Sequence, residues 1–153
     1  SKQMTPSQRQ AARPRIQASA LGFAVGFAEA AEIDALGILP ATRLAAWRAL
    51  QALPFAPDHL LLDALFMPDV DLPQTALIKG DRRSLSIAAA SVLAKTARDA
   101  RLEALEDEFP GYGFARHKGY GTAAHRAALQ QLGPCPQHRR SFHLKNLTGL
   151  TRL

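Results

Sequence analysis

Two aspartates stand where a carboxylate needs a reason. Asp63 lies inside Leu60–Phe66 (LLLDALF), flanked on both sides by apolar residues. Burying a carboxylate in such a run without a partner is costly. Its side chain therefore either faces solvent from an edge strand, pairs with an arginine, or serves as a metal ligand or catalytic acid at the open edge of a sheet. Asp81 follows the short apolar run Thr75–Lys79 and Gly80, and precedes Arg82-Arg83. Taken by itself, it reads as a turn aspartate or a helix cap. Together the two residues end consecutive candidate strands, and neighbouring strands of one sheet would bring their ends close. Carboxylates held that near each other are stable mainly when a divalent cation neutralises them. Hard oxygen donors suit Mg²⁺ or Mn²⁺ and not zinc.

A second kind of chemistry resides in Gly111–Gly121 (GYGFARHKGYG), which interleaves aromatics with Arg116, His117 and Lys118. Basic groups can hold phosphates while a ring stacks on a sugar or base, and glycines permit close backbone approach. The same loop equally reads as a well-turned surface segment whose aromatics pack inward. His138-Arg139-Arg140 forms another basic cluster, either a phosphate contact or a solvated tail. Cys135 is the lone cysteine and cannot form an internal disulfide, which agrees with a reducing compartment. With His138 and His143 it makes a poor zinc pattern, so a plain thiol is the simpler reading.

The elements that must position these groups follow from local signals. Thr5-Pro6-Ser7-Gln8 has the cap, first-turn proline and capping-box glutamine of a helix start, with the helix running toward Ala18 past Pro14. Leu21–Ala28 (LGFAVGFA) alternates large apolar and small residues at strand period, which predicts a strand with something packed closely on its small-residue face. Glu32–Leu53 is helical in pattern and interrupted at Pro40. Leu60–Leu65 and Thr75–Lys79 suit short buried strands. Ser84–Phe109 is the longest helical pattern, capped by Ser84 or Ser86 and stopped by Pro110-Gly111. A further helix is expected at about Ala123–Leu132, with a basic tail from Gly133 onward. Alternating strands and helices, without repeats or a dividing linker, argue an α/β fold.

The whole chain sets broad limits. Its 153 residues suffice for one domain with a sizeable core, and 47% hydrophobic with 21% charged residues is ordinary globular composition. A net charge of +6 biases the chain toward phosphate-bearing partners. No stretch approaches the length of an apolar membrane span. No charged-then-apolar signal opens the chain, so export is not indicated. The chain begins at Ser1 without a methionine, which points to processing or truncation.

Three longer motifs now take on a joint meaning. Ile78–Lys95 (IKGDRRSLSIAAASVLAK) with Arg98-Asp99, Phe109–Thr122 (FPGYGFARHKGYGT) and His138–Phe142 (HRRSF) resemble, in order and in one register, the signatures of bacterial ribonuclease HII. Ser1-Lys2 with Met4-Thr5 is similar to that family's Asp-Ser-Lys-x-Leu-Ser segment, entered after its Asp. The resemblance implies an RNase H-like fold, a mixed sheet flanked by helices, as a single domain over residues 1–153 with 123–153 a C-terminal helix and basic tail. It implies an endoribonuclease, ribonuclease H, that cleaves the RNA strand of RNA–DNA hybrids and single ribonucleotides embedded in duplex DNA by metal-dependent hydrolysis. Such an enzyme would serve DNA replication and repair in the cytoplasm, without a membrane, as a monomer when complete. Four carboxylates bind Mg²⁺ or Mn²⁺ in the family, and by resemblance Asp63 and Asp81 are the third and fourth. Tyr120 is similar to the tyrosine that reads the ribonucleotide–deoxynucleotide junction, where the 2′-hydroxyl separates RNA from DNA. Lys118, Arg139 and Arg140 become candidate phosphate contacts. Asp99 lies well inside a helix and is expected to pair with a neighbouring base.

Two departures from the family pattern matter. The first strand, with its Asp-Glu pair and Gly-Arg-Gly turn, has no counterpart in these residues. That strand is central in the family's sheet, between the strand expected at Leu21 and the one at Leu60. Without it, an N-terminally truncated chain is expected to expose strand edges and an apolar face, and by itself to lose most activity. The alternative is a catalytically inactive nucleic-acid-binding remnant of the family. The second departure is Ala64-Leu65, where relatives have Gly and a polar residue after the third carboxylate.

Overall fold

The computed structural model describes residue 1 and residues 3–142. Lys2, His143 and the basic tail from 143 onward lie outside the described residues. Helix α1 spans Pro6–Ser19 and starts as the sequence predicts. Thr5 Oγ1 accepts from the Gln8 N–H, while the Gln8 side chain accepts from the Thr5 N–H, so two main-chain donors are satisfied reciprocally. Pro14 is carried inside the helix. Helices α2 (Ala30–Leu36) and α3 (Ile38–Gln51) occupy the region read as one interrupted helix. The break falls at Gly37 and not at Pro40. Gly37 adopts φ +83, a backbone state that favours glycine, whereas Pro40 sits in the first turn of α3, where a missing N–H costs no helical bond.

The sheet of the described residues has two parallel strands, β1 (Leu60–Asp63) and β2 (Gln74–Leu77), with Leu60 opposite Gln74 and Asp63 opposite Leu77. The connection through residues 64–73 carries no helix and is tied down by Gln74 instead. Its side chain accepts from the Met67 N–H at 3.0 Å and donates to the Met67 and Val70 carbonyls. Helix α4 (Leu85–Glu108) follows, then the short helix α5 (Phe114–His117) and helix α6 (Ala123–Leu132). The architecture is α/β and mostly helical. No helix among the described residues is long and apolar enough to cross a membrane.

Leu21–Ala28 is not a strand. Residues 22–29 have no regular hydrogen-bonded structure, because period-2 patterning does not make a ladder unless another strand offers its edge. The closely packed small face is nonetheless present. A Cβ on Gly26 would stand 2.0 Å from the Ala45 carbonyl oxygen and 2.6 Å from the Ala49 nitrogen, so the run lies directly against the backbone of α3. Gly22 is similarly close to Pro54 and Phe55. Neither main-chain atom facing Gly26 can turn aside as a side chain can. Gly26→Ala is therefore expected to destabilise the chain by about 1–3 kcal/mol, or more, in a denaturant titration. An unchanged midpoint would contradict this packing.

The chain divides into two compact units. One comprises Ser1–Phe27 and Thr42–Ala97, and the other Ala28–Ala41 and the described residues from Arg98 onward. The first contains α1, both strands and the start of α4. The second has its own apolar core of Leu105, Tyr112, Phe114, Ala128, Leu129 and Cys135, with Leu102 and Phe109 packed against it.

Candidate metal centre and nucleic-acid contacts

In the first unit Asp63 and the turn that carries Asp81 come together at the end of the strands. Parallel pairing puts the C-terminal ends of β1 and β2 at one edge of the sheet, with Asp63 the last residue of β1. The chain leaves β2 through Lys79, at φ +55, into a 3₁₀ turn over Gly80–Arg82 that carries Asp81. Asp63 Oδ1 accepts the Gly80 N–H at 2.8 Å, so its carboxylate is fixed against the turn that bears Asp81. Gly80 is buried there, its Cβ direction blocked by Ile87 at 2.7 Å. Asp63 itself is exposed. The main-chain nitrogen of Ser1 lies 3.7 Å from Asp81 Oδ2. Carboxylates on adjoining elements at one end of the sheet are hard oxygen donors, the kind that would suit a Mg²⁺- or Mn²⁺-type ion. No group of three or more His, Cys, Asp or Glu that could hold a metal exists among the described residues.

Ala64, next to the proposed ligand, has φ +50. An alanine in this left-handed backbone state costs about 1 kcal/mol relative to glycine. The Ala64 N–H donates to the Leu77 carbonyl at 3.0 Å, and that bond holds the strand exit in place.

The second unit holds the other candidates, and its loop divides its rings between inside and outside. Tyr112, Phe114 and His117 pack inward, whereas Tyr120 is 60% exposed. The Tyr120 ring lies 5.8 Å from the Arg98 guanidinium. Gly113 caps α5 at φ +75, and a Cβ there would press on the His117 ring at 3.3 Å. Lys118 is already engaged, since its ammonium pairs with Glu103 and donates to the Ala115 carbonyl. Arg139 and Arg140 are exposed. Arg139 lies over the Phe142 ring at 4.6 Å from its centroid. Asp99 is buried, with its carboxylate 3.9 Å from Arg98, the neighbouring base.

Asp34 and Glu106 were missed by sequence reasoning. Asp34 accepts from the Arg140 N–H at 2.8 Å and the Ser141 N–H at 2.9 Å, and from the Ser141 hydroxyl, so α2 shapes the basic segment. The Ser141 hydroxyl, with these N–H groups and the Arg140 charge, holds the Asp34 carboxyl below its ordinary range. Glu106 accepts the Ala115 N–H at 3.1 Å. Neither partner lies within a few residues of its carboxylate, so no local signal marks them.

Burial governs titration in this unit. It pushes His125 and His138 below their ordinary value of 6.5, and pushes the Cys135 thiol above 9.0 and the Tyr112 phenol above 10.0. A folded imidazole with a lowered pKa binds fewer protons than the unfolded one, so its stability contribution is complete above pH 6.5 and declines below it. A raised thiol pKa works in the opposite sense, with its contribution complete below pH 9.0 and declining above. Denaturation midpoints of this unit are therefore expected to be flat between about pH 6.5 and 9 and to fall on either side. A midpoint that rises on acidification from pH 6.5 would contradict the neutral, buried imidazoles.

Comparison with known proteins gives one answer. Residues 1–145 match the family model described as Ribonuclease HII. The chain is 58% identical over 142 residues to the ribonuclease HII of Chloroflexus aurantiacus, covering 93% of this chain and 67% of that protein. It is 51% identical over 154 residues to the ribonuclease HII of an Anaeromyxobacter species, covering 100% of this chain and 49% of that one. The chain thus spans about half to two thirds of the length of these relatives. The crystal structure of the ribonuclease H2 from Pyrococcus horikoshii superposes with a TM-score of 0.69 at 24% identity, over 92% of this chain and 74% of that one, and supports the fold.

Proposed function

The chain belongs to the ribonuclease HII family, a family of enzymes, and from that premise we propose that it acts on duplexes containing ribonucleotides, cleaving at the ribonucleotide by metal-dependent hydrolysis. The observation that carries the reading is the bond from the Gly80 N–H to Asp63 Oδ1, which holds one carboxylate against the turn of the other. Asp63 and Asp81 would hold a Mg²⁺ or Mn²⁺ ion. When bound, such an ion supplies Lewis-acid stabilisation of charge on phosphoryl oxygens and lowers the cost of ionising water. The protein's own share is positional. Asp63 is set by the end of β1 and Asp81 by the short helical turn that follows β2. Tyr120 offers an exposed ring to a sugar or base, and Arg139 and Arg140 offer charge to phosphates. Lys118 would contribute only by exchanging its pair with Glu103 for a phosphate. This reading takes residues 1–153 as an RNase H-like domain working as a cytoplasmic monomer.

A second reading is favoured by one observation. Only two carboxylates converge at the sheet edge, without a third metal-binding group among the described residues. A chain of these residues alone would then bind duplexes through its basic surface and cleave weakly or not at all. One experiment separates the two. The 153-residue chain is incubated with a duplex bearing a single ribonucleotide, and with its all-deoxy counterpart, in Mg²⁺, Mn²⁺ or EDTA. Metal-dependent scission at the ribonucleotide supports the enzyme, and at rates below those of a longer relative it agrees with an incomplete carboxylate set. Binding without scission in either metal supports the second reading, and neither binding nor scission rejects both.

A further inference from the structure

Behind the Tyr120 loop, two histidines and the cysteine are linked in one sequence of hydrogen bonds that none of the roles above uses. Tyr120 is held through its main chain. Its N–H donates to the His117 carbonyl at 2.9 Å, and its carbonyl accepts from the Thr122 N–H at 2.8 Å. The same carbonyl lies 3.0 Å from His125 Nδ1. His125 Nε2 is 3.0 Å from His138 Nε2, and His138 Nδ1 is 3.1 Å from both the N–H and the Sγ of Cys135. His125 and Cys135 are buried at 5% and 6% exposure.

The chemistry of the two ends fixes every proton between them. A carbonyl only accepts, so His125 must carry its proton on Nδ1, and its Nε2 is bare when the ring is neutral. His138 must then donate from Nε2. From the other end, the Cys135 N–H only donates, so His138 Nδ1 must be bare and its proton must sit on Nε2. Both ends demand the same order. His117 is fixed as independently, with Nδ1 accepting the Gly119 N–H at 3.1 Å and Nε2–H donating to the Tyr112 carbonyl at 2.7 Å. A second proton on His125 would set two N–H groups face to face across 3.0 Å, and one on His138 would set its Nδ1–H against the Cys135 N–H at 3.1 Å.

We infer that His125 is a positioning residue for Tyr120, held in its Nδ1–H tautomer by His138 and Cys135 so that it fixes the main chain from which the tyrosine ring projects. The role rests on the contact proposed for Tyr120. Cleavage needs Asp63 and Asp81, whereas His125 sets the geometry by which a ribonucleotide is told from a deoxynucleotide. The groups facing this chain are uncharged or remote from the bond itself. The His117 ring stacks on His125 at 4.1 Å, Tyr112 lies 5.1 Å from His138, and Phe114 packs on both imidazoles. Glu108 acts on Cys135 only through its charge.

The test has two independent arms on the whole chain. Long-range ¹H–¹⁵N correlation spectra of the imidazoles at neutral pH should show protons on His125 Nδ1, His138 Nε2 and His117 Nε2. Any other tautomer, or an imidazolium, at His125 or His138 overturns the inference without reference to activity. In the second arm, affinity in EDTA is compared for a duplex with one ribonucleotide and its all-deoxy counterpart. His125→Asn retains a donor near the Nδ1 position and should preserve the preference. His125→Gln moves the donor to the Nε2 position and should reduce the preference about three- to tenfold. With Tyr120→Ala already present, the Gln substitution should add nothing. If Tyr120→Ala reduces the preference and His125→Gln does not, the positioning role falls and the tyrosine contact stands. If Tyr120→Ala has no effect, the contact falls and takes the positioning role with it. Loss of the preference in His125→Asn as well, in a variant that melts like the parent, also rejects the role of the Nδ1 donor.

Discussion

On the proposed function, replacing Asp63 with Asn is expected to cut metal-dependent cleavage severely while leaving the fold intact. The substitution is isosteric, and the amide oxygen can still accept the Gly80 N–H that now meets Asp63 Oδ1 at 2.8 Å. What disappears is a negative charge and a hard anionic donor at the edge where β1 and β2 end together. Changing partners of a metal ligand commonly costs 10- to 100-fold in metal affinity, so removing a ligand should cost at least about that. Catalysis should fall by roughly 10²-fold or more, since charge stabilisation at a reacting phosphate is lost with the ion. Because Asp63 is exposed, thermal stability should stay within about 0.5 kcal/mol of the parent. Mn²⁺ titration followed by electron paramagnetic resonance reads the affinity, and ribonucleotide-duplex scission reads the rate. A variant with unaltered Mn²⁺ binding would remove Asp63 from the ligand set. Altered binding together with a lower melting point would instead mean that the charge matters to the strand exit.

Phe114→Ala should have the largest effect on stability. Phe114 is 2% exposed at the centre of the second unit. Its ring stacks on Tyr112 at 5.4 Å and meets His117, His125 and His138 at 6.1, 5.9 and 5.3 Å. Truncating a buried phenylalanine removes transfer free energy and leaves a cavity, together about 3–5 kcal/mol. Against a total of some 5–15 kcal/mol for an ordinary domain, that is a large share. Amide hydrogen exchange should therefore accelerate across Leu105–Cys135, where Phe114 joins the core. Tyr120→Ala, at an exposed position of the same loop, should shift stability by no more than about 0.5 kcal/mol. Equal effects from the two substitutions would mean that the loop's inward and outward rings are not divided as described.

Much of the chain could be read locally. The start of α1 is written in Thr5 and Gln8, since a capping box is made by residues three apart. The span of α6 and the long helix α4 follow from apolar period and from Gly and Pro at their ends. Asp63 and Asp81 stood out because charge inside or just after apolar runs is costly unless something uses it, and parallel pairing brings them to one edge. The family itself was legible from three motifs in order.

What escaped depends on partners distant in sequence. Leu21–Ala28 has the alternation of a strand, yet a strand is a relation between two segments. The tertiary structure gave that run the backbone of α3 as its neighbour, in contact with Gly26. The break before α3 went to Gly37 because positive φ ends a helix, while a proline in a first turn does not. Asp34 could not be assigned to the Arg140–Ser141 segment across a gap of more than a hundred residues. The order of protons from Tyr120 to Cys135 was equally invisible, since a ring nitrogen takes its role from whatever faces it. The sequence determined which residues at the sheet edge carry negative charge and which elements bear them. Only the tertiary structure decided that one carboxylate is fixed by the turn of the other, because hydrogen bonds and packing across space choose among conformations that local patterning leaves equally open.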